Sequence, residues 1–199
     1  MTTPQLQFPL TLRMKLIALA PQFFVEDANQ KPIAYIKQKL FKLKEAINIF
    51  TDETQKEVLY TIAADRIIDF SARYNFKKSD GLALGSVKRR GMHSLWRAQY
   101  DVYEGERVVF TISEESVATR FFDNIFSQIP FLGALSGYIF QPSYIAKRES
   151  GEAVMRLSKQ PALWEGIFKM ELIAKLSHEE QESLMLSLFM TVLLERQRG

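Results

Sequence analysis

The chain of 199 residues is long enough for one sizeable core, and its 47% apolar and 25% charged residues are the balance of a globular domain, which excludes a disordered chain. A net charge of +3 allows attraction to anionic surfaces but falls far short of the basicity of a dedicated nucleic-acid binder. The absence of cysteine removes disulfides, thiolate nucleophiles and Cys-based zinc or iron–sulfur sites.

Near the N-terminus, Arg13 and Lys15 are followed by only Leu16 to Ala20 before Pro21, too short for the apolar stretch of a signal peptide, and the expected compartment is the cytoplasm. Fifteen Phe, seven Tyr and two Trp favour strands with bulky interiors. Most of residues 1–113 reads as such strands. Turn signals stand at Asp27-Ala28-Asn29-Gln30, Asp52-Glu53-Thr54, Ser79-Asp80-Gly81 and Glu104-Gly105-Glu106. Between them, apolar residues alternate: Val58, Tyr60, Ile62 and Ala64, then Ala72, Tyr74 and Phe76, then Trp96, Ala98, Tyr100 and Val102. Polar residues fill the other parity, as in Arg73, Asn75 and Lys77. Period two with one wet face predicts an antiparallel sheet.

From Glu114 the period changes. Val117, Phe121, Ile125 and Ile129 are spaced by four until Pro130, which predicts an inserted amphipathic helix of about four turns. Strand character returns over Tyr138 to Lys147, over Val154 to Leu157 and near Ile167 to Leu172, for about twelve strands in all.

The last element starts at Ser177, whose side chain can cap a helix while Glu180 reaches back to its N–H. The helix is expected over about His178 to Arg198. Between Leu184 and Leu194 only Ser187 and Thr191 are polar, four apart on one stripe, where each hydroxyl can bond to the carbonyl one turn back. A helix apolar nearly all round must be buried. Eleven residues at ~1.5 Å each cover about half of a ~30 Å hydrocarbon layer, so burial in protein is favoured over a membrane span. The nine large apolar side chains of this run are each worth roughly 1.5–3 kcal/mol when buried. A closed sheet wrapped around the helix would cover all of them and leave no exposed edge. The expected fold is therefore mainly β: an antiparallel closed barrel of about twelve strands around a hydrophobic C-terminal helix, with one extra helix inserted mid-chain.

This arrangement resembles the Tubby C-terminal-like superfamily, and within it the LURP-one-related and phospholipid scramblase-like proteins. The likeness is carried by FFVEDANQKPIAYIKQKLFKLKEAINIFTD at 23–52, EVLYTIAADRIIDFSARYNF at 57–76, GLALGSVKRRG at 81–91 and SLWRAQYDVYEGERVVFTI at 94–112. It covers the chain from about residue 8 to the end except about 114–136, an inserted helix and uncharged loop within a single expected domain of residues 1–199. It implies a non-enzymatic protein that binds lipid or associates with a membrane. The chain lacks an acidic calcium-binding loop, a cysteine to palmitoylate and a proline-rich N-terminal tail, so calcium-activated scrambling is not implied.

Two features fit such a role. Residues 124–146 carry no charge, and Phe126, Phe131, Leu132, Leu135, Tyr138 and Phe140 are candidate contacts with a membrane or partner, with Tyr144 as an interfacial ring. Packing across one mouth of the barrel is the structural reading of the same segment. Basic residues form two groups, Lys37, Lys39, Lys42 and Lys44 in one hairpin and Lys77, Lys78, Lys88, Arg89 and Arg90 in another. The second group is the candidate lipid or anion site, against an alternative of solvated strand faces and edge protection. The rival class is a protein-interaction or self-associating module using the same apolar segment. Nucleic acid is disfavoured because alternation turns Trp96 and Tyr100 inward. Neither His93 nor His178 has metal-ligand spacing, and neither a Gly-x-Ser-x-Gly elbow nor a Walker loop is present, so no metal, cofactor or catalytic residue is assigned. The expected partner is an anionic membrane lipid, at the inner face of a membrane, or a protein.

Overall fold

The computed structural model describes residues 5–15, 22–37, 46–66, 72–91, 98–115, 142–162 and 165–196. Twelve strands form a closed barrel in which each strand lies antiparallel to its sequence neighbours and β1 closes against β12. They are β1 Leu10–Lys15, β2 Gln22–Glu26, β3 Pro32–Lys37, β4 Ile47–Phe50, β5 Val58–Ala64, β6 Arg73–Lys78, β7 Ala83–Arg89, β8 Gln99–Glu104, β9 Arg107–Glu114, β10 Ser143–Arg148, β11 Ala153–Gln160 and β12 Glu165–Leu172. The helix α1 spans His178–Arg196.

Alternation decides which face each strand buries. Tyr60 and Ile62, Tyr74 and Phe76, Tyr100 and Val102 are all buried, as period two requires. α1 fills the space they enclose: Leu184 to Leu193 are buried without a break, and Phe189 meets Phe23 of β2 edge to face at 5.2 Å. The two hydroxyls of the run turn back on their own helix, with Ser187 Oγ donating to the Ser183 carbonyl at 2.8 Å and Thr191 Oγ1 to that of Ser187 at 2.9 Å. At the helix start the reciprocal cap is present: Ser177 N–H donates to Glu180 Oε2 at 2.8 Å and Glu180 N–H to Ser177 Oγ at 3.2 Å.

The helix expected from Glu114 to Ile129 falls mostly on residues 116–141, outside the described residues, and α1 is the one helix among those described. Its expected first residue is corrected. Glu114 ends β9, paired with Tyr144, and Glu115 N–H donates to the Ser143 carbonyl at 2.8 Å. The carboxylate of buried Glu115 accepts from Arg156 at 2.8 Å and from Ser143 Oγ at 3.2 Å. The acidic pair thus extends the ladder and pins both ends of the connection 115–142, where a helix N-terminus was expected.

β7 carries a bulge opposite β6, between Phe76 and Lys77, and Gly85 lies beside it at φ +126°. A Cβ there would stand 2.5 Å from the Tyr103 carbonyl oxygen, so only glycine lets β7 approach β8 this closely.

Removing the helix removes the core. Deletion of 178–199 is expected to leave an insoluble or molten chain. The milder change Leu188→Asp places an unpaired charge at a fully buried position and is expected to cost about 4 kcal/mol in urea unfolding. A stable, soluble truncated domain would contradict a central helix.

Candidate functional site

Because the barrel is an unbroken meander, all odd-numbered strands run one way and all even-numbered strands run back. The connections therefore fall into two sets at opposite mouths. One mouth, here the turn mouth, is joined by 27–31, 51–57, 79–82, 105–106 and 149–152, and by 173–177 leading into α1. The other, the loop mouth, joins its strand ends through 16–21, 38–46, 65–72, 90–98, 115–142 and 161–164. α1 enters at the turn mouth and points its C-terminus at the loop mouth.

The two sets differ in composition. The turn-mouth connections hold eight carboxylates against three lysines, and their large apolar residues are Leu82, Ile173 and Leu176. The loop-mouth connections hold seven basic against five acidic residues and both tryptophans, Trp96 and Trp164. They also contain the uncharged candidate contacts Phe126, Phe131, Leu132, Leu135, Tyr138 and Phe140, which lie outside the described residues, as do Lys39, Lys42, Lys44, His93 and Trp96.

The candidate basic residues divide between the mouths. Lys77 and Lys78 end β6 at the turn mouth, while Lys88 and Arg89 end β7 at the loop mouth with Arg90 just beyond. Parity divides them again. Lys78 pairs in register with inward-facing Tyr60, and Arg89 with inward-facing Tyr100, so both side chains turn toward α1. Lys78 Nζ lies 2.7 Å from Glu182 Oε2, with side chains 12% and 0% exposed, and Tyr60 donates its hydroxyl to Glu182 Oε1 at 2.7 Å. His178, one turn back, stands 3.5 Å from the same oxygen. At the far end of the helix Tyr100 donates its hydroxyl to Glu195, and Arg89 lies 3.9 Å from that carboxylate.

Each end of the buried helix is thus held by one glutamate between a tyrosine and a cation of the wall. Burial raises the Tyr60 and Tyr100 hydroxyls well above the ordinary phenol value, and each acceptor glutamate raises them further, so both stay donors. Burial, with the Glu195 charge beside it, raises Tyr144 likewise. Arg90 instead grips Asp101 of the outer wall with two contacts, at 3.0 and 2.8 Å. Lys77 is exposed and Lys88 half-buried on the outer face.

The chain carries the signature of a known group over most of this barrel. A family model described as LURP-one-related matches residues 33–191. The chain belongs to the LURP-one-related family. No curated protein and no solved structure matches it. The twelve-stranded barrel around a C-terminal helix is the fold expected for this family from the resemblance to Tubby-like proteins. No helix among the described residues of this LURP-one-related chain is long and apolar enough to cross a membrane.

Sequence reasoning missed Glu182 and Glu195. By position Glu182 is simply a carboxylate favourably placed near the helix N-terminus, and its strand partners Tyr60 and Lys78 lie more than a hundred residues away in the chain. Glu195 had a local signal: a carboxylate in the last turn opposes the helix dipole, which asks for a compensating cation.

Two outcomes follow from these contacts. Lys78→Met strands a buried carboxylate and is expected to cost about 3–5 kcal/mol, whereas Lys78→Met with Glu182→Gln is expected to cost less than Lys78→Met alone. Additive losses in urea unfolding would contradict the coupling. Glu180, despite burial that pushes its pKa up, is held below its ordinary 4.5 by the Ser177 N–H and the Arg148 guanidinium. Its stabilisation is complete above pH 4.5 and is lost as pH falls below that value, so Glu180→Gln is expected to flatten the acid limb of the stability–pH curve.

Proposed function

We propose that this LURP-one-related chain is a non-catalytic protein of the cytoplasm that binds the surface of an anionic membrane with its loop mouth toward the bilayer. The observation that carries this reading is the meander: the connections whose sequence holds the uncharged segment, both tryptophans and the greater basic share leave and return at one mouth, while the acidic turns close the other. Apolar and aromatic side chains between basic ones suit an interface where headgroups are anionic and the layer beneath them is apolar.

Each basic side chain near such a surface contributes about 1 kcal/mol within a Debye length of about 8 Å. Lys88, Arg89 and Arg90 stand at the loop mouth, and Lys39, Lys42 and Lys44 belong to a connection that leaves and returns there. Pairing of Arg89 and Arg90 with Glu195 and Asp101 reduces their share, so Lys88 and the three lysines of 38–46 are the main cationic contribution. Carboxylates at the turn mouth oppose docking of the inverted orientation.

Flotation with vesicles tests the reading. Binding to vesicles containing anionic lipid at low salt, weak binding to zwitterionic vesicles and loss at high salt are expected. Lys42→Glu, Lys44→Glu and Lys88→Glu together are expected to weaken binding by roughly tenfold or more, and Lys77→Glu at the turn mouth by less than about twofold. No flotation in any condition, with a salt-insensitive oligomer in its absence, would replace the reading with a self-associating module.

A further inference from the structure

The turn mouth is not flat. Between α1 and the hairpins β8–β9 and β10–β11 lies a cleft of about 570 Å³. Its apolar lining includes Leu84, Val109 and Phe110, with the Arg148 guanidinium 5.4 Å over the Phe110 ring. Its rim carries Glu104, Glu149, Glu179 and Glu180 against Arg107 and Arg148. Arg148 is already engaged, 2.9 Å from Glu180 and 3.3 Å from Glu152.

One polar group in the cleft lacks an internal use. Ser183, on the first full turn of α1 inside the barrel, is 5% exposed and lines the cleft, and its hydroxyl makes no hydrogen bond to a described residue. The other two hydroxyls of the helix do bond inward, at Ser187 and Thr191. A hydroxyl that lines a cavity without a bond to a described residue is a place for a ligand's carbonyl or N–H.

We infer that this cleft binds a basic, partly apolar peptide segment of a protein partner, seating an apolar side chain on Leu84 and Val109 while lysine or arginine neighbours meet Glu104, Glu149 and Glu179. The volume exceeds that of one side chain and suits a short stretch of chain. The Glu180 amide of α1 is taken by Ser177 Oγ, and the surplus of carboxylates around the cleft disfavours an anionic ligand. The apolar floor selects a peptide over a purely polar polyamine. The inference does not rest on membrane binding, since the cleft is at the opposite mouth.

Fluorescence anisotropy on the full chain, with a labelled octapeptide of alternating lysine and leucine, tests it. Saturable binding is expected, with none by the alternating glutamate–leucine octapeptide. Glu104→Gln with Glu149→Gln, both exposed, is expected to weaken binding about fivefold, and Asp52→Asn with Glu53→Gln, at the same mouth outside the cleft, by less than about twofold. Ser183→Leu, confirmed folded by its thermal transition, is expected to abolish binding by filling the base. Absence of binding, equal loss in the two double variants, or displacement of the peptide by spermine at equal concentration would overturn the proposal.

Discussion

Burial of an almost wholly apolar helix is the constraint on which the rest of the structure depends. Eight of its nine large apolar side chains are buried and Leu194 is partly so, a contact surface that no single sheet face could cover. Closing the sheet into a barrel covers it from all sides and removes both edges. The cost falls at the helix ends, where charge must enter a confined space. Glu182 and Glu195 meet it in the same way, each with a tyrosine hydroxyl and a cation from strands β5 to β8. These two contacts set where the helix stops along the barrel axis, which packing of similar apolar side chains alone would leave loosely defined.

Much of this was legible in the sequence. The Ser177 and Glu180 pair marked the start of the helix, the unbroken run marked it as central, and alternation through Tyr60, Tyr74 and Tyr100 marked the inner face. What was not legible is the partition of the charged residues. Lys78 and Arg89 look like members of a surface cluster because they adjoin Lys77 and Arg90. Yet Lys78 shares the parity of Tyr74 and Phe76, and Arg89 that of Val87, so both point inward. A basic residue on the inward parity needs a buried anion, and its partner lies on an element far away in the chain. The pair Glu114-Glu115 was misjudged for a related reason: acidic residues before an apolar run suit a helix start, and only the long-range partners Ser143 and Arg156 make them the end of a strand.

Topology then turns a weakly basic chain into a polar object. A net charge of +3 says little, but the meander sorts the strand ends: acidic turns close one mouth, and the connections richer in basic and tryptophan residues leave and return at the other. The two proposed activities occupy opposite ends of the same axis, so a chain docked on a membrane through its loop mouth would still present the turn-mouth cleft to a partner. The central helix joins the ends mechanically, with Glu182 and Ser183 adjacent to the cleft and Glu195 at the other mouth.

Hydrogen exchange of the full chain with and without anionic vesicles tests this polarity most directly. The account expects vesicles to slow exchange in 38–46, 90–98 and 115–142 and to leave 79–82, 105–106 and 149–152 unchanged. Slowing confined to the turn-mouth segments, or spread equally over both sets, would contradict a membrane-facing loop mouth.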